Sequence, residues 1–395
     1  MHTILITGSS GFVGRSLCVE LARQDNVQLL RHDLDNTRDD LHAALARVDV
    51  IYHLAGVNRP HDPAEFEMGN AGLTHELCRF LIETGRAPKI ILSSSTQAAL
   101  DNPYGVSKRH AEEVVHAYAA ATGAEVVIYR LPNVFGKGCR PNYNSAVATF
   151  CHNIARDLPI QVSDPTREME LVYIDDLIEA LVADQEKPGP HHDSCTPEDR
   201  GAASQITPLR APTYRITLGR IVELLQSFRR SRTDLHVPDQ ADAISKKLYA
   251  TYLSYLPTDQ FSYSLTMHVD ARGSFTEFLK TSELGQVSIN ISKPHITKGN
   301  HWHHTKNEKF LVVSGSGVIR LRRSGEREEF SGKEGENHGK DIIEHHVSGE
   351  NLVVVDIPPG YTHNIENLGD TDMVTVMWAN EAFDPARPDT VFENV

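Results

Sequence analysis

The sequence predicts a doubly wound α/β domain followed by an all-β barrel, and three observations carry that expectation. The first third alternates short apolar runs with helical patterns. A glycine triplet follows directly after the first apolar run. From Phe261 onward the apolar period falls to two, in short runs parted by Gly and Asn turns.

His2 to Ile6 reads as a parallel strand, followed by the glycine turn and a helix with Val13, Leu17 and Leu21 on one face. Val48 to Leu54, Lys89 to Ser94 and Val126 to Tyr129 read as further strands. Helices near Asn70 to Glu83 and from Pro103 to Ala121 complete the βαβ units, which places a ligand at the carboxyl ends of the strands. Residues 186–212 turn to Pro, Gly, Ser and His and read as a long surface loop with the composition of a disordered segment. A helical face resumes over Leu218 to Phe228, and Ala243 to Leu256 reads as a connecting helix. Strands are expected at Gln286–Ser292, Lys309–Val313, Gly317–Arg322, Asn351–Ile357 and Met373–Trp378, with a charged hairpin tip over 325–340. The expected division is a first domain over 1–245, a connecting helix over 246–256 and a barrel over 257–395.

The chain has 395 residues, enough for two cores, with 40% hydrophobic and 23% charged residues. A net charge of −14 argues against nucleic acid and anionic membranes as partners, although a local arginine pocket can still hold an anionic small molecule. The 5 cysteines are scattered and form no CxxC pair, as expected of packing residues in a reducing compartment. No signal peptide precedes the first strand and no apolar run reaches membrane-spanning length, so the expected location is cytoplasmic.

Gly8-Ser9-Ser10-Gly11-Phe12-Val13-Gly14 has the spacing G-x-x-G-x-x-G between a strand and a helix. Such a turn lets backbone approach a pyrophosphate, and the helix N-terminus adds free N–H groups. The next strand ends in Arg31-His32-Asp33. Arg31 and His32 suit a 2′-phosphate and favour NADPH, whereas Asp33 would suit the ribose of NADH. Tyr104 and Lys108 stand four apart on one helix face, where an ammonium is expected to lower the phenol's pKa and fit it for proton transfer. A hydroxyl from the run Ser93-Ser94-Ser95-Thr96 would hold a substrate carbonyl.

With these motifs, residues 1 to about 245 resemble an extended short-chain dehydrogenase/reductase (SDR), a Rossmann-type fold. The family's HxAG pattern matches His53-Leu54-Ala55-Gly56, its Tyr-x-x-x-Lys matches Tyr104 and Lys108, and its R-x-x-N-x-x-G matches Arg130, Asn133 and Gly136. The resemblance implies Ser95 as the catalytic hydroxyl, with Ser94 and Thr96 as alternatives, and Leu54, Ala55 and Gly56 beside the cofactor. Only 8 residues separate Ser95 from Tyr104, an abbreviated segment for the family. Nucleotide-sugar members bind the diphosphate and uracil after the Asn, which points to Asn133, Arg140, Asn142 and Arg167, with Tyr143 and Asn144 nearby. Asp175, in Tyr173-Ile174-Asp175-Asp176, is expected to be an N-cap.

In the second half, His301 and His303 fall on one strand face, Glu308 begins the next strand and His363 sits on a later turn. Three imidazoles and a carboxylate suit Zn²⁺ or another divalent first-row ion, redox iron included. His304 is expected to point away, and His338, His345 and His346 to be solvated. Gly299-x-His301-x-His303 with Glu308 and Gly315, and Pro358-x-Gly360-x-x-His363-x-x-x-Asn367, resemble the two cupin motifs, so residues 257–395 resemble a cupin. The resemblance leaves the cupin acid and base open, and Lys309 and Tyr361 are the candidates taken from the sequence.

The fusion resembles the CapF-type family (with WbjC and FnlB) of bifunctional nucleotide-sugar enzymes over essentially the whole chain. It implies a UDP-4-keto-6-deoxy-N-acetylhexosamine substrate, C3 epimerisation in the cupin, NADPH-dependent C4 reduction in the SDR, and a homodimer serving capsule or O-antigen polysaccharide. The alternative is a reductase alone, with the metal-bound cupin as a dimerisation or sugar-sensing module.

Overall fold

The structure, a computed structural model, describes residues 2–60, 62–186, 206–324 and 342–395. The first unit opens with β1 (His2–Thr7), α1 (Phe12–Leu21), β2 (Val27–His32), α2 (Arg38–Leu45) and β3 (Val50–His53). A short turn α3 (Ala64–Phe66) leads through wider helical turns into α4 (Leu73–Glu83), then β4 (Lys89–Ser95), α5 (Pro103–Thr122) and β5 (Val126–Leu131). The strands form a parallel sheet in the order β2-β1-β3-β4-β5, so the order reverses at β1, the place where such folds open a crevice for ligand.

Both faces of this sheet are buried, which is why its strands read as unbroken apolar runs. Ile4, Ile6, Tyr52 and Tyr129 pack on one side against Leu17 and Leu21 of α1. Leu5, Ile51, Ile90 and Ile128 pack on the other against Leu41, Leu77 and Val115 of three helices. Each fully buried side chain of this size contributes roughly 1.5–3 kcal/mol. Asn102 caps α5, its Oδ1 accepting the Gly105 N–H at 2.8 Å, with Pro103 in the first turn and Gly123 in a left-handed C-cap.

Then follow β6 (Asn133–Phe135), α6 (Ala146–Ile154), β7 (Glu168–Tyr173), α7 (Ile174–Glu186) and β8 (Thr213–Thr217), the three strands forming a small sheet β6-β7-β8. Asp175 lies inside the first turn of α7 rather than capping it, and pairs with Lys137 Nζ at 2.5 Å. Most of the expected surface loop at 186–212, and the hairpin tip at 325–340 with His338, fall outside the described residues. The described part, 206–212, departs from that expectation. The Thr207 N–H donates to the Ile128 carbonyl at 2.9 Å, and Ile206, Leu209 and Ala211 pack on the two cores. Three apolar side chains among polar neighbours are enough to anchor it.

Two further helices are α8 (Leu218–Asp234) and α9 (Ala243–Leu253). By packing, one unit comprises Met1–Leu225 with Lys247–Pro257, and the other Gln226–Lys246 with Thr258–Val395. The second unit carries β9 (Met267–Asp270), β10 (Gly273–Thr281), β11 (Gly285–Ser292), β12 (Thr297–Trp302), β13 (Glu308–Ser314), β14 (Ser316–Arg323), β15 (Ile343–Ser348), β16 (Val354–Ile357), β17 (Tyr361–Asn367), β18 (Met373–Ala379) and β19 (Val391–Phe392). They form two sheets, β16-β13-β18-β11-β10-β9 and β15-β14-β17-β12-β19, with every pairing antiparallel. Phe310, Val312, Val355, Ile357 and Met373 of the first share a core with Ile319, Leu321, Val347 and Ile365 of the second. This is the cupin-type β domain. Among the described residues, no helix is long and apolar enough to cross a membrane.

Candidate functional site

In the first unit the glycine turn sits where β1 meets α1. Gly8 has φ +69°, and a Cβ there would stand 2.7 Å from the Ala55 nitrogen. A Cβ on Gly14 would lie 2.1 Å from the Gly8 carbonyl oxygen, so no larger residue fits. Gly11 caps α1 and no side chain occupies its first-turn N–H groups, which leaves them open to an anion, with Ser10 and Gly11 exposed and Phe12 and Val13 following. Gly8 N–H donates to the His32 carbonyl at 2.9 Å, tying the turn to β2. The Asp33 carboxylate accepts N–H groups from Ser10 at 2.7 Å and Leu34 at 2.9 Å. Arg31 is exposed, with its guanidinium at the Cys18 thiol.

His53, before Leu54, Ala55 and Gly56, is a buried pin. Its Nδ1 meets Thr7 Oγ1 at 2.7 Å and its Nε2 meets Thr74 Oγ1 at 2.9 Å, joining β1, β3 and α4. Burial, with the Lys108 charge adding to it, pushes its pKa down to about 3. The folded value lies below the unfolded one of about 6.5, so the stability this ring contributes is complete above pH ~6.5 and is lost as pH falls toward 3. His53→Gln should therefore remove up to about 1.4 kcal/mol per pH unit from the slope of stability across that window. Urea midpoints from pH 7 to 4 measure this, and equal slopes for the two proteins would contradict it.

The serine run resolves by partner. Ser93 Oγ donates to the His53 carbonyl at 3.3 Å. Ser94 is committed to the buried Glu112, which also holds Arg130 through both oxygens at 3.0 and 2.7 Å. Thr96 is exposed. Ser95 Oγ accepts the Gln97 N–H at 3.2 Å, and Ser95 alone of the four bears on the Tyr104 phenol, whose pKa it lowers. Lys108, buried on the same helix, donates to the Ser93 carbonyl at 3.1 Å, and burial pushes its pKa down to about 8 against the pull of Glu112. The expected lowering of the Tyr104 pKa is not what the structure gives. Burial raises it, only partly opposed by the Ser95 hydrogen bond. An ammonium turned to a backbone carbonyl does not offset the loss of water around the phenol.

Of the positions expected to hold substrate, Arg140 and Asn142 share one exposed loop, with the Arg140 guanidinium 5.5 Å from the Tyr143 ring centre. Asn133 begins β6, its amide reaching the Glu170 carbonyl at 3.4 Å, and Arg167 lies just before β7, exposed. The structure adds Arg59, which sequence reading missed. Its Nη1 donates to the Tyr143 carbonyl at 2.7 Å and staples the loop after His53-Leu54-Ala55-Gly56 to the Arg140 loop. A tertiary contact of that kind leaves no periodic trace.

In the second unit, His301, His303, Glu308 and His363 come together with one donor atom each, all within 4.8 Å of one another. A bulge at Gly299/His301, with Asn300 at φ +60°, turns the end of β12 toward β17. Glu308 Oε2 lies 3.4 Å from His303 Nε2 and 3.3 Å from His363 Nε2. Ligands at about 2.1 Å around a tetrahedral ion stand roughly 3.4 Å apart. Those three buried atoms lack a well-formed hydrogen bond, while the far nitrogens of His303 and His363 face the Asp389 and Tyr361 carbonyls. That arrangement puts each proton on Nδ1 and aims the Nε2 lone pair inward, so the donor set fits Zn²⁺. Burial, then His363 and His303, pushes His301 down to about 4. Burial would raise Glu308, but the two imidazoles beside it outweigh burial and hold it well below the usual carboxylate range.

His304 is exposed against Trp302, and His345 and His346 are exposed. Tyr361 shares its strand face with His363. Lys309 is not brought to the site. Because Glu308 points in, Lys309 points out, where it pairs with Asp356. In its place stands Lys306, with Nζ 3.8 Å from Glu308 Oε1. Lys306 and Glu308 line a cavity of about 380 Å³ with His268, Glu277, Gln286 and Ser288. His268 and Glu277 come from β9 and β10, which carry no clear alternation: all four residues of β9 are exposed.

The model of the NAD dependent epimerase/dehydratase family matches residues 4–193, and that of the polysaccharide biosynthesis C-terminal domain matches residues 268–391. The chain is 42% identical over 388 residues to the UDP-2-acetamido-2,6-beta-L-arabino-hexul-4-ose reductase of Pseudomonas aeruginosa, covering 98% of this chain and 97% of that protein. It is 49% identical to the capsular polysaccharide assembling protein CapF of Staphylococcus aureus, with a TM-score of 0.86 over 99% of this chain and 100% of that one. The UDP-glucuronic acid 4-epimerase of Bacillus cereus, at 19% identity and a TM-score of 0.52, covers 64% of this chain and 98% of its own, a likeness of fold alone.

Proposed function

Because the chain belongs to the family of the Pseudomonas UDP-hexulose reductase and staphylococcal CapF, nucleotide-sugar enzymes with an NAD dependent epimerase/dehydratase region, we propose that it carries out two consecutive steps on one UDP-sugar. The substrate is a UDP-4-keto-6-deoxy-N-acetylhexosamine. The cupin unit inverts C3 and the SDR unit reduces C4, giving a UDP-2-acetamido-2,6-dideoxy-L-talose-type product on the route to UDP-N-acetyl-L-fucosamine for capsular or O-antigen polysaccharide. We further propose a cytoplasmic homodimer.

The observation that carries this reading is a Glu308 shared between a metal-ready cluster and a cavity that Lys306 also lines, on a chain that also holds Ser95, Tyr104 and Lys108. The order of steps follows from chemistry: the C3 hydrogen is acidic only beside the 4-keto group, and reduction removes that group. His301, His303, Glu308 and His363 would hold a divalent ion, which supplies Lewis-acid polarisation of the ketone when bound. We propose Lys306 to balance charge on the enolate oxygen or return a proton, with His268 and Glu277 of the cavity, and Tyr361 on the strand of His363, as the candidate partners for the C3 proton. Lys306→Met should slow C3 exchange by roughly 10²-fold while sparing NADPH binding, as deuterium uptake by NMR would show. Unchanged exchange would remove Lys306 from the mechanism.

In the SDR unit, Gly8, Ser10, Gly11, Phe12, Val13 and Gly14 cradle the pyrophosphate, with Leu54, Ala55 and Gly56 beside it. Exposed Arg31 and half-buried His32 favour the 2′-phosphate, since the Asp33 carboxylate is already occupied by two backbone N–H groups. Bound there, NADPH supplies hydride to C4. Ser95 holds the carbonyl, Tyr104 protonates the alkoxide and Lys108 supports it electrostatically. Asn133, Arg140, Asn142 and Arg167 are proposed for the UDP moiety.

The name of the Pseudomonas relative mentions reductase activity only, which keeps alive the reading of the cupin as a dimerisation or sensing module. NMR analysis of the product made from the 4-keto sugar and NADPH tests the proposal: inversion at C3 with a new C4 hydroxyl supports it, and a C4 alcohol with C3 retained contradicts it.

A further inference from the structure

The loop that carries His303 and Lys306 is organised by a residue far away in sequence. The Asp389 carboxylate accepts the backbone N–H groups of His304 at 2.9 Å, Thr305 at 2.8 Å and Lys306 at 2.9 Å, together with the Thr305 hydroxyl at 3.2 Å. Its own carbonyl faces His303 Nδ1. Just beyond, β19 pairs with the end of β12, setting Phe392 opposite His301, their rings 6.4 Å apart. Glu393 continues the contact: its N–H donates to the Asn300 carbonyl at 3.0 Å, its carbonyl accepts the Thr362 hydroxyl at 2.6 Å, and its carboxylate pairs with Arg322 at 2.8 Å. Residues 389–393 thus touch the segments that carry three of the four clustered side chains.

We propose that Asp389 is a positioning residue of the metal centre, holding the 303–306 loop so that His303 Nε2 meets the ion and Lys306 faces the cavity. The carboxylate gathers three backbone N–H groups that would otherwise seek water, and so fixes the loop's path. The carbonyl sets the His303 tautomer, the outer-shell function that governs ligand aim. This rests on reading the four-residue cluster as a metal centre.

Zinc affinity of the full-length protein, measured by chelator competition, tests the proposal alongside the visible spectrum of the Co²⁺-substituted form. Asp389→Ala should weaken zinc binding by about 10–100-fold and change the Co²⁺ spectrum. Asp389→Asn, which keeps the shape and one acceptor oxygen, should weaken binding less. Both should diminish the rise in unfolding temperature that zinc produces. Wild-type affinity with an unchanged Co²⁺ spectrum would overturn the role, as would equal destabilisation of metal-free and zinc-loaded protein, the mark of a purely structural bond. If the unaltered protein bound no divalent ion, the metal reading itself would fail, a different result from normal binding that survives loss of Asp389.

Discussion

Tyr104→Phe is expected to lower the rate of NADPH oxidation on the 4-keto sugar by about 10²–10⁴-fold and to leave deuterium uptake at C3 intact. The phenol is half-buried, faces Ser95 and lies on the same helix as Lys108, so its removal takes away the proton donor with little change in shape. Burial raises its pKa, which keeps it protonated and able to donate at neutral pH. A proton donated only in the transition state should lower kcat and kcat/KM together. Stopped-flow absorbance at the nicotinamide band, paired with NMR of the exchanged sugar, separates the two steps. A Phe variant that still reduced at the wild-type rate would remove Tyr104 from the chemistry.

His363→Ala is expected to have the opposite selectivity. Losing one of four ligands from a buried cluster should cost most of the metal and reduce C3 exchange to the uncatalysed level, while a substrate already inverted at C3 should still be reduced. The side chain is 1% exposed and its Nε2 has no hydrogen-bond partner, so the variant loses an inward-facing donor and gains a small cavity. Zinc content by elemental analysis and exchange by NMR check the expectation. Wild-type exchange by a zinc-free variant would assign the metal to stability alone.

Much of both candidate sites is legible in the sequence, because the signals are local. The glycine triplet needs its spacing for backbone reasons that the Gly8 φ and the Gly14–Gly8 approach make explicit. His301, His303, Glu308 and His363 met because strand alternation and turn position constrain where they point. The same alternation, applied to Lys309 beside the inward Glu308, sends it outward to Asp356. For the hydroxyl, the resemblance points to Ser95 with Ser94 and Thr96 as alternatives, and what separates Ser94 from Ser95, their partners Glu112 and Tyr104, lies on another element. Arg59 and Asp389 act through backbone groups of loops distant in sequence, and Lys306 owes its place to the loop that Asp389 holds, none of which periodicity records. β9 was invisible because its four residues are all exposed and alternate nothing.

In the proposed sequence the barrel acts on C3 before any hydride reaches C4. Incubating the UDP-4-keto sugar with the zinc-loaded protein in D₂O, with no nicotinamide present, tests it most directly by NMR. Deuterium is expected at C3, with inversion there, and no uptake with His363→Ala. An unlabelled sugar from the wild-type protein, reduced directly at C4 once NADPH is added, would contradict it.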